Sequence, residues 1–547
     1  MRQWKSMLLP FACIGGVILA IIYVCYSLGS WYIDDSAISL TYARNLTRGI
    51  GLISQVGDKP VEGFSNPLWV FLEALMMKLF QWESLLIPRV LSCALLLILV
   101  CHIFLRYRNN PLKLFVWQFA VLLTILQPAV SIWSMSGLEN GLLVFLTFEL
   151  LMHLMDNGGG NPWMISLLVA AMSLTRPDAI LFAATYPLCI LFSKQRFDLD
   201  FFKKLFKSLL IVLLCYGGYL IFRMIYFGEL MPNTYYAKAL PTVISMKEVL
   251  LIGPEMRARV ISAFFALFGY ATPWILVGVC VCVWSNRSLI FSWMKEHLPM
   301  LIVLFIAVFA YAYLPNDWMP CYRFATAAFV ASYVILAHGC FSLVSGFSRY
   351  VCMCILLVCG IMNFIMGVRQ FVKEKPIGVA DVQERGAYFE RWGNYLGINK
   401  PLVMTADAGG ILWDERVCLL DLGMLCDSVV AHSLGEYTAT RDHKKFIEYV
   451  FERKPDFIAT RAYHSYLASL DIDLRFRSYY VPIHEYIDLW ILNRYGMIIM
   501  SGDYVRKDLL ESHKGVLEKM RKESQGIFYP FDNKNLRLNI EKCNNGT

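Results

Sequence analysis

Apolar runs long enough to cross a bilayer recur through the first two thirds of this chain, and they constrain its fold more than any other feature. The first, from about residue 7 to 29, is uncharged and has the ~20 apolar residues that a spanning helix needs. It ends in Trp31-Tyr32-Ile33-Asp34-Asp35. Tryptophan and tyrosine settle at the headgroup level, so the pair marks where lipid gives way to water. Asp34 and Asp35 then stand at the membrane surface. An enzyme acting on a lipid-linked substrate needs carboxylates there.

Further apolar runs lie near residues 84–105, 114–132, 138–155, 162–175, 178–193, 206–227, 260–283, 298–314, 322–344 and 350–368. Residues 67–80 are apolar too, but they carry Glu73 and Lys78 and are short, which suits an interfacial or re-entrant helix. Leaving that segment out predicts eleven crossings, with the N-terminus cytoplasmic and the C-terminus outside. The basic stretches 106–113, 194–207 and 287–295 then all face the cytoplasm, as the positive-inside rule requires. Five polar loops (44–66, 134–140, 175–178, 228–259 and 315–323) fall on the same outer face as the acidic pair.

With 57% hydrophobic and 17% charged residues, the chain is no ordinary soluble globule. Its net charge of +8 fits basic cytoplasmic loops and does not call for a nucleic-acid partner. Most of the sixteen cysteines sit inside apolar runs as small hydrophobes. Cys418, Cys426 and Cys543 lie outside them, and spacing leaves a Cys418–Cys426 bridge open. The histidines form no zinc-ligand pattern. The first 30 residues resemble a signal peptide without a small-residue cleavage site, which reads as an uncleaved anchor.

After residue 369 the composition turns mixed and charged. Strand-like runs at 401–405, 417–420, 457–460 and 486–492 alternate with helix-like runs at 441–453 and 503–522. The expected fold is therefore an α-helical polytopic membrane domain (1–369), with its first external loop at 30–83. A periplasmic soluble α/β domain (370–547) follows it.

Each polar cluster has a plain structural reading beside a chemical one. Asp34-Asp35 serves equally as a helix cap or as a general base with a partner that binds metal or orients the acceptor. Arg44 and Arg48 share one helix face, where guanidinium suits either phosphate or interfacial snorkelling. Asn233-Thr234-Tyr235-Tyr236-Ala237-Lys238 offers an amide, aromatic planes and a cation of the kind that hold sugars. Asp317-Trp318 with Arg323 repeats acid, indole and base, and Glu139 stands at the mouth of a span. No phosphate-binding loop, dinucleotide fingerprint or G-x-S-x-G is present.

In order and spacing, these motifs resemble the bacterial GT-C glycosyltransferases, in the branch that includes the mycobacterial terminal β-arabinofuranosyltransferase. The series runs Asp34-Asp35-Ser36-Ala37-Ile38, Tyr42-Ala43-Arg44-Asn45, Val61-Glu62-Gly63-Phe64-Ser65-Asn66-Pro67 and Ser136-Gly137-Leu138-Glu139. It continues through Arg176-Pro177-Asp178, Pro232-Asn233-Thr234-Tyr235-Tyr236, Asp317-Trp318-Met319-Pro320, Ala406-Asp407-Ala408-Gly409 and Leu420-Asp421-Leu422-Gly423. Pro315-Asn316 departs from the glycine usual before the loop-five Asp-Trp.

The resemblance implies an inverting transferase of the bacterial inner membrane. Its donor is a polyprenyl-phosphate-linked sugar, used on the periplasmic side, and its acceptor an envelope glycan or lipid. It makes Asp34 and Asp35 the catalytic pair. It assigns Arg176, Lys238 and Arg323 to the donor phosphate, with Arg44 added from its guanidinium chemistry. It assigns Glu62, Glu139 and Asp317 to sugar or acceptor, and the amide and rings of Asn233, Tyr236 and Trp318 suit the same task. A divalent cation is compatible with this chemistry and not required by it. A lipid-glycan transporter or flippase would use ionisable groups near mid-span, and a non-catalytic assembly factor would not need the aspartates.

Overall fold

The computed structural model describes residues 2–155, 160–192, 199–238, 254–269, 272, 287–314, 319–344, 346–435, 442–524 and 537–539. Helix α1, Arg2–Leu28, ends where Gly29 takes a left-handed conformation, which only glycine adopts cheaply. The chain then turns into α2, Asp34–Thr47, and later α3, Pro67–Phe80. Arg89, from the helix Ile87–Tyr107, fixes that first turn. Its guanidinium donates to the carbonyls of Gly29 (2.7 Å), Trp31 (2.8 Å) and Met135 (3.0 Å), and it lies 4.2 Å over the Tyr32 ring. One cation thus aligns the end of α1, the start of α2 and the loop before Glu139.

Each apolar run expected from the sequence contains helix within its described residues. Five of those helices are long and apolar enough to cross a membrane, or seven if each of two bent pairs counts as one span. The run at 114–132 is one such pair: Pro111–Ile125 and Pro128–Met135 meet at 76°. Pro128 lacks the N–H that would carry the first helix onward. Asn140–Leu154, Pro162–Thr175 and Pro177–Phe192 are apolar but shorter than a full crossing. Pro177 opens a 3-10 segment, Pro177–Ala184, at the break expected after Arg176.

The C-terminal part holds a six-stranded sheet: β1 Leu402–Thr405, β2 Cys418–Asp421, β3 Phe457–Thr460, β4 Tyr480–Asp488, β5 Met500–Arg506 and β6 Arg537–Asn539. Their order is β2-β1-β3-β5-β4-β6, with β2, β1 and β3 parallel and the remainder antiparallel. The run at 486–492 is corrected: the strand stops at Asp488, and Leu489–Tyr495 is helical. Buried Asp488 accepts from the Ile491 and Ala462 amides, which closes the strand. The helix expected over 503–522 begins instead as β5 and becomes α-helical only at Val516–Ser524. Cys418 and Cys426 are free thiols, so no bridge joins them; Cys543 lies outside the described residues.

The loops after β1 and β2 leave the carboxyl edge of the parallel strands, where open α/β sheets present their ligand-binding loops. Here those loops pack against α2 and Asn233. Helix α2 is consequently buried along most of its length, polar side chains included. It is an internal element and not a solvated surface helix.

Candidate active site

The loop after β1 runs into a short helix, Gly409–Asp414, which α2 grips at both ends. At one end the Asp34 carboxylate accepts from the Gly409 amide at 2.9 Å and the Gly410 amide at 2.7 Å. At the other, Arg44 donates to the carbonyls of Leu412 (3.1 Å) and Trp413 (2.6 Å), pairs with Glu415 at 2.8 Å, and lies 4.7 Å from the Trp413 ring. A carboxylate at the N-terminus and a guanidinium at the C-terminus match the helix dipole. Burial pushes the Asp34 carboxyl up to about 7, against the pull of the two amides. Arg385 pairs with Asp407 just before this helix.

Asp35, the next residue, is only partly covered, and its carboxylate has no hydrogen-bond or ion-pair partner among the described residues. The two aspartates are therefore not equivalent. Asp34 is committed to protein amides, and Asp35 is available.

One turn on, Ser39 donates to Asn66 Oδ1 at 3.1 Å, and Asn66 Nδ2 donates to Glu139 at 3.0 Å. Glu139 pairs with Arg176 at 3.1 Å, and Arg176 also pairs with Asp178 at 3.0 Å. The Arg176 and Arg323 guanidinium groups lie 4.5 and 4.6 Å from the Phe324 ring. Glu139, Arg176 and Arg323 are thus brought together from three separate loops. The 136–139 loop also touches α2 directly: Ile33 N–H donates to Ser136 O at 3.1 Å, and Gly137 packs on Ser36 so closely that a Cβ would meet its hydroxyl at 2.6 Å.

Four of the candidate residues have most of their polar atoms paired inside the protein. Arg44 clamps the Gly409–Asp414 helix with both terminal nitrogens, while its buried Nε has no partner among the described residues. Glu62 is fully engaged with Tyr219 (2.7 Å) and Arg223 (2.5 Å). Asn233 donates to the carbonyls of Met424, Leu425 and Asp427, holding the loop after β2. Tyr236 donates to Glu229 at 3.0 Å and packs on the His432 ring. Lys238 ends the helix Asn233–Lys238, and its side chain, with Asp317 and Trp318, lies outside the described residues. Among the described residues no three His, Cys, Asp or Glu side chains converge as a metal ion would need.

Sequence reasoning missed Arg385, Arg223 and Gly410. The signal for Arg223 was present, since an arginine inside an apolar run demands a buried partner. Gly410 had the hint of a double glycine opening a helix. Arg385 had none.

No protein-family model and no curated protein matches the chain. Among solved structures it is similar to ArnT from Cupriavidus metallidurans in the apo state, with a TM-score of 0.51 at 11% sequence identity. The match covers 83% of this chain and 93% of that one. The likeness is one of fold alone, a mostly helical architecture whose described residues include several helices apolar enough to cross a membrane.

Proposed function

We propose that this chain is an inverting glycosyltransferase that moves a sugar from a polyprenyl-phosphate donor to an envelope glycan or lipid acceptor on the periplasmic face. The observation that carries the reading is the difference between the two aspartates. Asp35 stands unpartnered on the first turn of α2, and the same helix touches the loops that hold Glu139 and Arg176. Asp35 is the base. It takes the acceptor hydroxyl proton as the oxygen attacks the anomeric carbon, and the polyprenyl phosphate leaves from the opposite face.

The leaving phosphate has a low pKa and needs charge stabilisation more than a proton; Arg176 and Arg323 supply it. Asp34 is a positioning residue that holds Asp35 in place through the Gly409–Asp414 helix. Glu139, oriented by Asn66 and Arg176, contacts sugar or acceptor. Lys238, Asp317 and Trp318 complete the donor and sugar contacts. The sheet region covers α2 and helps hold the acceptor.

The test compares Asp35→Asn with Asp34→Asn in membranes supplied with lipid-linked sugar. Asp35→Asn should abolish transfer with folding unchanged, a loss of at least about a hundredfold for a general base. Full transfer by well-folded Asp35→Asn overturns the assignment.

A further inference from the structure

Helix α3 carries one more carboxyl at this site. Glu73 is completely buried, and its oxygens meet no cation and no good hydrogen-bond donor among the described residues, the nearest being the Trp69 indole. It shares one helix face with Asn66 and Trp69. Along that face Asn66 holds Glu139, and the Trp69 indole N–H donates to Gly137 O at 3.3 Å. Glu73 therefore sits beside the 136–139 loop, within the field of the Glu139 carboxylate. An unpaired buried carboxylate is among the costliest arrangements in a protein, so such a group keeps its proton. Burial first, and Glu139 second, hold it well above the usual glutamate range, against the smaller pull of the Trp69 indole.

The elements packed against α3 are α2, Ile87–Tyr107 and Pro162–Thr175. Their charged or titratable groups are Asp34, Asp35, Tyr42 and Arg44, with Arg48 at the C-cap; Arg89, Cys93, Cys101, His102, Arg106 and Tyr107, with Arg108 at the C-cap; and Arg176 at the C-cap of the third. Asp34, Arg44, Arg89 and Arg176 have the partners given above, and His102 is bonded to Glu149. No cation is bonded to Glu73.

We propose that Glu73 is a further residue of this site, a neutral carboxyl whose proton sets the charge around the Arg176–Glu139 pair for a phosphate-bearing ligand. With Glu73 neutral, Arg176 and Arg323 balance Glu139 and Asp178. Ionising it adds a surplus negative charge where the phosphate binds, and the ligand is repelled. The identity of the ligand rests on the transferase reading above; the proton on Glu73 does not.

The test uses full-length wild type and Glu73→Gln in detergent, from about pH 5 to about pH 9, with thermal unfolding and farnesyl phosphate binding as readouts. Glutamine keeps the shape of the neutral acid without a titratable proton. Because the folded group holds its proton more tightly than the unfolded one, its stabilising contribution is whole at low pH and lost as pH rises. The two proteins should unfold together at the acid end, and wild type should fall behind as pH rises. Asp34 and the other carboxyls titrate in both, so the difference isolates Glu73.

Farnesyl phosphate should bind both proteins alike while Glu73 holds its proton, and wild type about tenfold more weakly at any pH where Glu73 is ionised. Parallel unfolding curves overturn the proposal. Should the glutamine variant misfold, Glu73→Leu is read the same way, and a leucine variant that tracks wild type is equally fatal. Diverging unfolding curves with no farnesyl phosphate binding to either protein uphold the proton on Glu73 and overturn the polyprenyl-phosphate reading.

Discussion

Replacing Gly409 by alanine probes the contact on which the site geometry rests. A Cβ at this position would lie 2.0 Å from the Asp34 backbone oxygen and 2.8 Å from its Oδ1. The first obstruction is backbone and cannot rotate aside. To reach an ordinary 3.4 Å contact, the Gly409–Asp414 helix must retreat by about 1.4 Å. That distance takes the 2.9 and 2.7 Å bonds to Asp34 out of hydrogen-bond range. Each bond to an ionised carboxylate contributes about 1.5–3 kcal/mol, so above about pH 7, where Asp34 is ionised, the loss is about 3–6 kcal/mol before the Arg44 contacts loosen.

Against a total stability of about 5–15 kcal/mol, such a loss releases the sheet region from α2 or unfolds it. Hydrogen exchange read by mass spectrometry over residues 34–47 and 402–421 should show faster exchange in Gly409→Ala, with transfer activity lost in parallel. Gly386→Ala is the control, because its Cβ meets only Ile411 at 3.5 Å and alanine favours helix. Wild-type protection and melting in Gly409→Ala would refute the reasoning.

Two other outcomes follow from the charges. Arg176→Met leaves the buried Glu139 and the partly buried Asp178 without their cation and should destabilise the protein by about 3–5 kcal/mol in a melting assay, with Glu139→Gln added in the same chain recovering part of the loss. The folded Asp34 carboxyl, at about 7, lies above its unfolded value, so its contribution is whole below about pH 4 and lost as pH rises to 7. Melting across that window should show wild type losing up to about 4 kcal/mol relative to Asp34→Asn, and a pH-independent gap would refute the raised value.

How much of this was legible in the sequence depended on range. Apolar runs and proline breaks are local, so the helices, the break at Pro177 and the short helix Pro67–Phe80 could be read directly. The bend before Pro128 could also have been read, but a continuous apolar run concealed it. Strand β5 was missed because its buried Asp503 breaks the alternating pattern, being paired with Arg461 from another strand's end. The site divided in the same way. Glu139 and Arg176 were identified as residue types, yet their pairing through Asn66 is tertiary. Arg44 and Asp34 carried the right charges for chemistry, while their partners lie far along the chain and left no mark nearby.

That separation has a temporal side. Asp34 and the two glycine amides it binds are 375 and 376 residues apart in sequence. While the ribosome is still working towards Gly409, α2 has already emerged with Asp34 and Arg44 bare. These contacts are thus among the last to form during biosynthesis, and a prematurely terminated product would carry its early helices without them.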